Sequence, residues 1–227
     1  MLSALLLGCS WPIETQAVLV FDASRSTKDD TEDMRAASLQ FFDAMVEREQ
    51  DGLHLGLVLF TGDVLVQQEL RSTTAEDRWL WEQLDYCEDL VWDQHETEHA
   101  LDCCAPADCS AWPTVEDWWL AGTNPAVALD EAGSMLRRDQ GDGGVVGEHV
   151  VILMDGEPNC WTTGMLPECD AERVERMFEA TDDVGLRSDL HMIRADENSP
   201  ALARNDGVQC TGDWDGCMAR IVDAIDP

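Results

Sequence analysis

Three oxygen-bearing side chains follow an apolar run near the start of the chain. The run Val18–Phe21 leads directly into Asp22, Ser24 and Ser26, which supply one carboxylate and two hydroxyls. Such a run is typical of a strand that is buried on both faces, as in a parallel sheet. Ligands of open α/β sheets collect beyond the carboxyl ends of the strands, and Mg²⁺ prefers oxygen ligands. We therefore predict a metal site at the end of this strand.

Two later segments offer ligands of the same kind. Thr123 lies in the sequence Gly122-Thr-Asn-Pro125, just before a predicted helix over Ala126–Leu136. Asp155 ends the apolar run His149–Met154, which we interpret as another buried strand, and Gly156-Glu-Pro-Asn159 follows it. Each of these segments thus places an oxygen-bearing side chain at a predicted strand end or helix start.

The elements that position these residues alternate between strand and helix patterns. Alternation of this kind predicts a three-layer α/β/α architecture: a Rossmann-like, open, mostly parallel sheet with helices on both faces. No linker divides the chain, so we predict one domain over residues 16–226. The further predicted strands are Leu53–Phe60, the hairpin edge Val64–Val66, Leu190–Ile193 and a short one near Val208. The first of the further predicted helices contains Met34, Ala37, Phe41 and Met45. A second spans Ala75–Cys87, with Trp79, Leu80 and Leu84 toward the core. The others span Ala171–Asp182, lie around Ala201, and close the chain with Met218, Ile221, Val222 and Ile225.

The ordered set of Asp-x-Ser-x-Ser, Gly-Thr-Asn-Pro and Leu-Met-Asp-Gly-Glu-Pro-Asn resembles the von Willebrand factor type A domain with its metal-ion-dependent adhesion site. The resemblance implies that Ser24, Ser26 and Thr123 give hydroxyl oxygens to a divalent cation, Mg²⁺ or alternatively Mn²⁺ or Ca²⁺. It implies that Asp22 and Asp155 balance the charge of the cation. It also implies that a carboxylate from a protein or polysaccharide partner completes the coordination. The expected function is adhesion or scaffolding, and not catalysis.

The composition limits the choice of partners. Asp and Glu number 47 against 14 Lys and Arg, which gives a net charge of −33. Such a charge excludes nucleic acids and anionic membrane surfaces as expected partners. We interpret the acidity mainly as a solvated surface, because the acids are scattered along the chain.

The amino terminus resembles a bacterial lipoprotein signal. Residues 1–9 form a short apolar stretch that ends in Leu-Leu-Gly-Cys, so Cys9 is a candidate for lipidation. This predicts a cell-envelope location, in the outer membrane, the periplasm or the cell surface, with membrane contact through the lipid anchor alone. The alternative is a buried amino-terminal segment with a free Cys9.

The chain has nine cysteines. Without Cys9 an even number remains, which allows up to four disulfides in an oxidising compartment. Local spacing favours the pairs Cys160–Cys169 and Cys210–Cys217. The other four cysteines are expected to pair among themselves, with a connectivity that the sequence leaves open: Cys87, Cys103, Cys104 and Cys109.

Residues 88–119 interrupt the alternating pattern and are interpreted as a disulfide-stapled insertion. The insertion contains His95-Glu96-Thr-Glu-His99, which on a helix would put two imidazoles on one face for zinc, with a glutamate base beside them. A zinc metallohydrolase is therefore the alternative function, against a solvated acidic helix. The insertion also holds several tryptophans that are interpreted mainly as a small core: Trp92, Trp112, Trp118 and Trp119.

Overall fold

In a computed structural model of the chain, the described residues are 13–48, 52–61, 64–85, 123–138, 145–155, 158, 167–186, 188–195 and 207–225. The strands are β1 (Ile13–Asp22), β2 (Leu53–Phe60), β3 (Val64–Ser72), β4 (Val145–Met154), β5 (Asp189–Arg194) and β6 (Gln209–Thr211). The helices are α1 (Thr31–Arg48), α2 (Arg78–Glu82), α3 (Pro125–Arg138), α4 (Pro167–Gly185) and α5 (Trp214–Ile225). Strands and helices alternate as the sequence predicts.

The strands form one sheet in the order β3-β2-β1-β4-β5-β6. All neighbouring pairs are parallel except β2 and β3, which form the predicted antiparallel hairpin edge. The order of the parallel strands reverses between β1 and β4, which is the position where doubly wound folds bind ligands. Asp22 ends the central strand β1 and lies opposite Phe60 of β2.

The sheet is covered on both faces, which confirms the predicted α/β architecture. Ala17, Leu19 and Phe21 point to one face and pack with side chains of α1 and α5. Val18 and Val20 point to the other face and pack with α3 and α4. Successive side chains of a strand alternate between faces, so a strand inside two layers must be apolar at every position.

The predicted helix over Ala75–Cys87 is wrong in length and in orientation. A short 3₁₀ turn precedes α2, and α2 ends at Glu82. Trp79, which we expected in the core, is 52% exposed, whereas Trp81 is fully buried. A 3₁₀ helix has 3.0 residues per turn and an α-helix has 3.6. The side chains that follow the 3₁₀ turn therefore lie on a different face than they would in one continuous α-helix.

Trp81 packs against the aromatic side chains of α1. Its ring centroid lies 6.2 Å from that of Phe41 and 5.2 Å from that of Phe42. Leu84 is buried as predicted. This aromatic cluster anchors α2 on α1.

A disulfide joins Cys210 of β6 to Cys217 of α5, with 5.6 Å between their Cα atoms, and confirms that predicted pair. Gly212 lies between them with φ +76°, a left-handed conformation that favours glycine.

Cys169 lies in α4, and its predicted partner Cys160 is outside the described residues. The predicted helix around Ala201 and the other cysteines with predicted roles also lie outside: Cys9, Cys87, Cys103, Cys104 and Cys109. Among the described helices, none is long and apolar enough to cross a membrane.

Candidate metal centre

Asp22 is a buried carboxylate at the end of the central strand. Its side chain is fully buried, and Oδ1 accepts a hydrogen bond of 2.9 Å from the backbone N–H of Ser24. Oδ2 is buried and has no hydrogen-bond partner within the described part of the chain. A buried charge without a partner is costly, so this oxygen needs a proton or a cation.

A line of hydroxyls connects this loop to the end of β4. The Oγ atoms of Ser24 and Ser26 lie 2.9 Å apart, and Ser26 Oγ donates to Asp155 Oδ1 over 3.2 Å. A serine has one hydroxyl proton. Because Ser26 gives its proton to Asp155, Ser24 is the donor to Ser26, and one lone pair of the Ser26 oxygen remains available to a ligand.

The loop is held in place by local hydrogen bonds. Ala23 N–H donates to the carbonyl of Phe60 over 2.8 Å, which fixes the chain to the end of β2. Thr27 donates to the carbonyl of Ser24 with both its backbone N–H, at 3.1 Å, and its hydroxyl, at 2.7 Å. A 3₁₀ turn over Arg25–Asp29 then leads into α1. Sequence reasoning missed this role of Thr27, whose only signal is its position within the turn.

Thr123 is fixed at the same edge of the sheet. Its side chain is buried, and the next residue, Asn124, donates its N–H to the carbonyl of Thr61 over 2.7 Å. Thr61 directly follows β2, the strand that pairs with β1. Pro125 begins α3, where its missing N–H costs no helical hydrogen bond. The structure thus places Asp22 at the end of β1, Ser24 and Ser26 directly after it, Asp155 directly after β4, and Thr123 before α3, next to the end of β2.

The electrostatics at this edge of the sheet disfavour two charged carboxylates. Burial, and then the charge of Asp155, raise the pKa of Asp22 well above its usual range. Burial also raises the pKa of Asp155, the hydrogen bond from Ser26 lowers it, and the nearby charge of Asp30 raises it further. The sequence carries no signal for this effect of Asp30 on Asp155. A divalent cation between the carboxyl groups would offset this repulsion.

The donor set fits a hard cation. It consists of hydroxyl and carboxylate oxygens, which suit Mg²⁺, Mn²⁺ and Ca²⁺ better than softer metals. Within the described ranges, no group of three or more His, Cys, Asp and Glu side chains is placed to hold a metal. A cation held at this edge would therefore need the hydroxyls of Ser24, Ser26 and Thr123 as ligands.

Solved structures share this arrangement of elements. A von Willebrand factor type A protein from Catenulispora acidiphila superimposes with a TM-score of 0.59 at 13% identity, over 94% of this chain and 42% of that one. The chain has the von Willebrand factor type A fold. The vWF domain of the type V pili tip protein Mfa5 from Porphyromonas gingivalis matches with a TM-score of 0.58 at 11% identity, over 96% of this chain and 98% of that one. A D319A mutant of the PilB minor pilin from Streptococcus sanguinis matches with a TM-score of 0.61 at 11% identity, over 96% and 62%.

The chain spans less than half the length of the Catenulispora protein, 42% of it. No family model matches the sequence, and no curated protein matches it either. Identities this low establish the type A fold alone.

The other predicted metal site cannot be placed. His95, Glu96 and His99 lie outside the described residues, as does the rest of the insertion over residues 88–119. The zinc motif therefore stays a prediction from the sequence.

Proposed function

We propose that the chain is an extracytoplasmic binding module that holds a macromolecular partner through a divalent cation. Mg²⁺ is the expected ion, with Mn²⁺ or Ca²⁺ as alternatives. The residues that would hold it are the two carboxylates and three hydroxyls at the sheet edge: Asp22, Ser24, Ser26, Thr123 and Asp155. The module would serve adhesion or scaffolding.

One observation carries the proposal. Asp22 Oδ2 is buried without a hydrogen-bond partner in the described part of the chain, on the loop whose Ser26 hydroxyl donates to Asp155. When bound, the cation would supply an electrophilic centre that attracts an anionic oxygen. Hydroxyl ligands are neutral, so they leave more of the positive charge of the cation for a carboxylate of the partner.

The kind of partner follows from charge. A chain with a net charge of −33 repels nucleic acids and anionic membranes. A cation on such a chain offers a local positive site to an acidic side chain or to an acidic sugar. We therefore expect a protein or a polysaccharide that supplies a single carboxylate.

Two observations support a location in the cell envelope. The Cys210–Cys217 disulfide is of a kind that persists in oxidising compartments. The two pilus proteins among the similar structures, Mfa5 and PilB, also support a role at the cell surface. Lipidation of Cys9 would anchor the module to a membrane.

The test is capture of a partner from envelope extract on the immobilised chain. We expect capture in Mg²⁺, loss of capture in EDTA and recovery when Mg²⁺ is restored. Asp22→Asn should capture nothing under any of these conditions. Asp223→Asn changes an aspartate whose side chain is 77% exposed on α5, so it is the matched control and should behave as wild type. Capture that ignores both EDTA and Asp22→Asn would refute the proposal.

A further inference from the structure

Two buried histidines lie side by side in the sheet, away from the metal edge. His149 of β4 is 5% exposed and His191 of β5 is 1% exposed. His149 lies opposite Ala17, five residues before Asp22 along β1. His191 lies opposite Val151, two residues beyond His149 on β4, so the two rings share one face of the sheet. The proposed function uses neither of them.

The two rings and one backbone N–H form a chain of hydrogen bonds. Val208 N–H donates to His191 Nδ1 over 3.1 Å, and His191 Nε2 lies 3.3 Å from His149 Nδ1. The carbonyl of Val208 accepts from the N–H of Met192 over 2.9 Å. The ring of His191 thus takes the place of a backbone acceptor at the point where the chain enters β6.

This chain of bonds fixes the tautomer of both rings. His191 Nδ1 accepts a hydrogen bond, so in the neutral ring the proton must be on Nε2. That proton points to His149 Nδ1, which therefore accepts, and the proton of His149 is on its Nε2. The same assignment excludes a metal between the rings. A metal on His191 Nε2 would need that nitrogen without a proton, but Nδ1 accepts from Val208 and carries none, and a neutral imidazole has one N–H proton.

A proton added to either ring breaks the chain. On His191 it must go to Nδ1, where it would face the N–H of Val208. On His149 it must go to Nδ1, where it would face the Nε2 proton of His191. His191 could accept that bond only by moving its own proton to Nδ1, again against Val208. Only the doubly neutral state satisfies all three groups.

The charges around the pair come from both strands. Asp189 of β5 has Oδ2 at 3.8 Å from His149 Nδ1, and Glu148 of β4 also acts on His149. These carboxylates favour a proton on His149, but burial outweighs them and lowers the pKa of His149. Burial, and then the charge of His149, lower the pKa of His191 to about 4.

The segment that His191 holds has little room to shift. A Cβ placed on Gly207 would lie 2.1 Å from the carbonyl oxygen of Leu190, so the backbone of Gly207 packs directly on β5. Residues 207–211 include Cys210, which is joined to α5 by the disulfide. Loss of the Val208 bond therefore loosens the entry to β6, while pairing with β5 and the disulfide keep the segment tethered.

We propose that the contact between His149, His191 and Val208 is an acid-sensitive lock on this edge of the sheet. With both rings neutral, it holds residues 207–211 against β5. A proton on His191 releases Val208 directly, and a proton on His149 releases it when His191 moves its own proton to Nδ1.

Hydrogen exchange of the Val208 amide tests the lock in the intact, oxidised chain between pH 7.5 and pH 4. Opening that takes up one proton should lower the protection factor about tenfold per pH unit below about pH 6.5, or about 100-fold in all. The amide of Thr73, which donates to the carbonyl of Leu53 over 3.2 Å in another part of the sheet, is the internal control and should change far less.

Substitution of His191 by asparagine separates titration from hydrogen bonding. In His191→Asn the side-chain oxygen can accept from Val208 but cannot be protonated in this range, so protection should no longer depend on pH. His54→Asn removes a histidine from β2 and should keep the wild-type profile. Protection in wild type that does not change with pH, or that falls equally in His191→Asn, would overturn the proposal.

A measurement on the wild type alone covers the case in which His191→Asn fails to fold. Nitrogen chemical shifts of the imidazole at pH 7.5 report the tautomer of His191. The proposal requires the proton on Nε2. A proton on Nδ1 would overturn it.

Discussion

Ser26 and Asp155 are 129 residues apart in the chain, yet the Ser26 hydroxyl donates to Asp155 Oδ1 over 3.2 Å. The bond exists because β1 and β4 are parallel neighbours, so the loops that follow them meet at one edge of the sheet. It joins a predicted metal ligand of the first loop to the last predicted ligand in the chain. Folding alone thus assembles this half of the site.

The Ser26–Asp155 bond predicts that the two residues act together in metal binding. Ser26→Ala and Asp155→Asn should each weaken Mg²⁺ binding, and the double variant should lose less than the sum of the two free energies. Residues in one hydrogen-bonded network typically show coupling of about 0.5–3 kcal/mol. Calorimetric titration of the four proteins measures it.

Ser134→Ala is the control for this cycle. Ser134 lies on α3 and accepts a hydrogen bond from Arg137 over 2.7 Å. Combined with Asp155→Asn, its effect should be additive within about 0.5 kcal/mol. Additive free energies for Ser26→Ala with Asp155→Asn would contradict the network.

The two tryptophans of α2 differ in burial, so their substitution should lower the free energy of unfolding by different amounts. Trp81→Ala should lower the free energy of unfolding by about 3–5 kcal/mol, because it leaves a cavity beside Phe41 and Phe42. Trp79→Ala removes a ring that is 52% exposed and should change the free energy of unfolding by about 0.5 kcal/mol or less. Urea denaturation followed by circular dichroism compares the two variants, and equal losses would contradict the burial of Trp81 and the exposure of Trp79.

The disulfide between Cys210 and Cys217 should stabilise the fold by closing a short loop. The sequence separation is 7 residues, for which loss of unfolded-chain entropy predicts a stabilisation of about 2–3 kcal/mol. Cys210→Ser, Cys217→Ser and the double variant should lose the same amount in urea denaturation, because each one removes the whole bond. A double variant that loses twice as much as a single one would mean that packing of the cysteines, and not the bond, stabilises β6 and α5.

The lowered pKa of His191 predicts how stability changes with pH. The pKa is about 4 in the folded chain, below the ordinary value of 6.5, so the unfolded chain binds the proton more readily. The stability that neutral His191 contributes is complete above about pH 6.5 and is lost as the pH falls toward about 4. The free energy of unfolding of wild type minus that of His191→Asn should therefore fall over this range, by at most about 3 kcal/mol.

The difference in the free energy of unfolding between wild type and His191→Asn is the quantity to compare, because protonation of many carboxylates changes the stability of both proteins. A difference between wild type and His191→Asn that stays constant from pH 7.5 to pH 4 would contradict the lowered pKa.

The sequence predicts elements best where one pattern decides them. β2 runs over Leu53–Phe60 as predicted, because its residues are apolar almost throughout and sit inside two layers. β1 begins earlier than its apolar run, at Ile13. Thr15 and Gln16 are buried polar residues that pair with Leu53 and His54 of β2, and such pairing depends on a strand far along the chain.

The candidate site was predictable in its residue types but not in its contacts. The spacing of Asp22, Ser24 and Ser26 identifies the loop, but the hydrogen bond to Asp155 follows from strand order. The His149–His191 contact shows the same limit. Each histidine is simply one polar position in an apolar strand, and only the register of β4 on β5 brings the rings together.

Calorimetric titration of Mg²⁺ into the wild-type chain and Asp22→Asn tests the central claim most directly, with Asp223→Asn as the matched control. We predict one bound cation in wild type and in Asp223→Asn, and binding at least about 100-fold weaker in Asp22→Asn with an unchanged circular dichroism spectrum. Equal Mg²⁺ affinity in wild type and Asp22→Asn would contradict the assignment of a metal site to the end of β1.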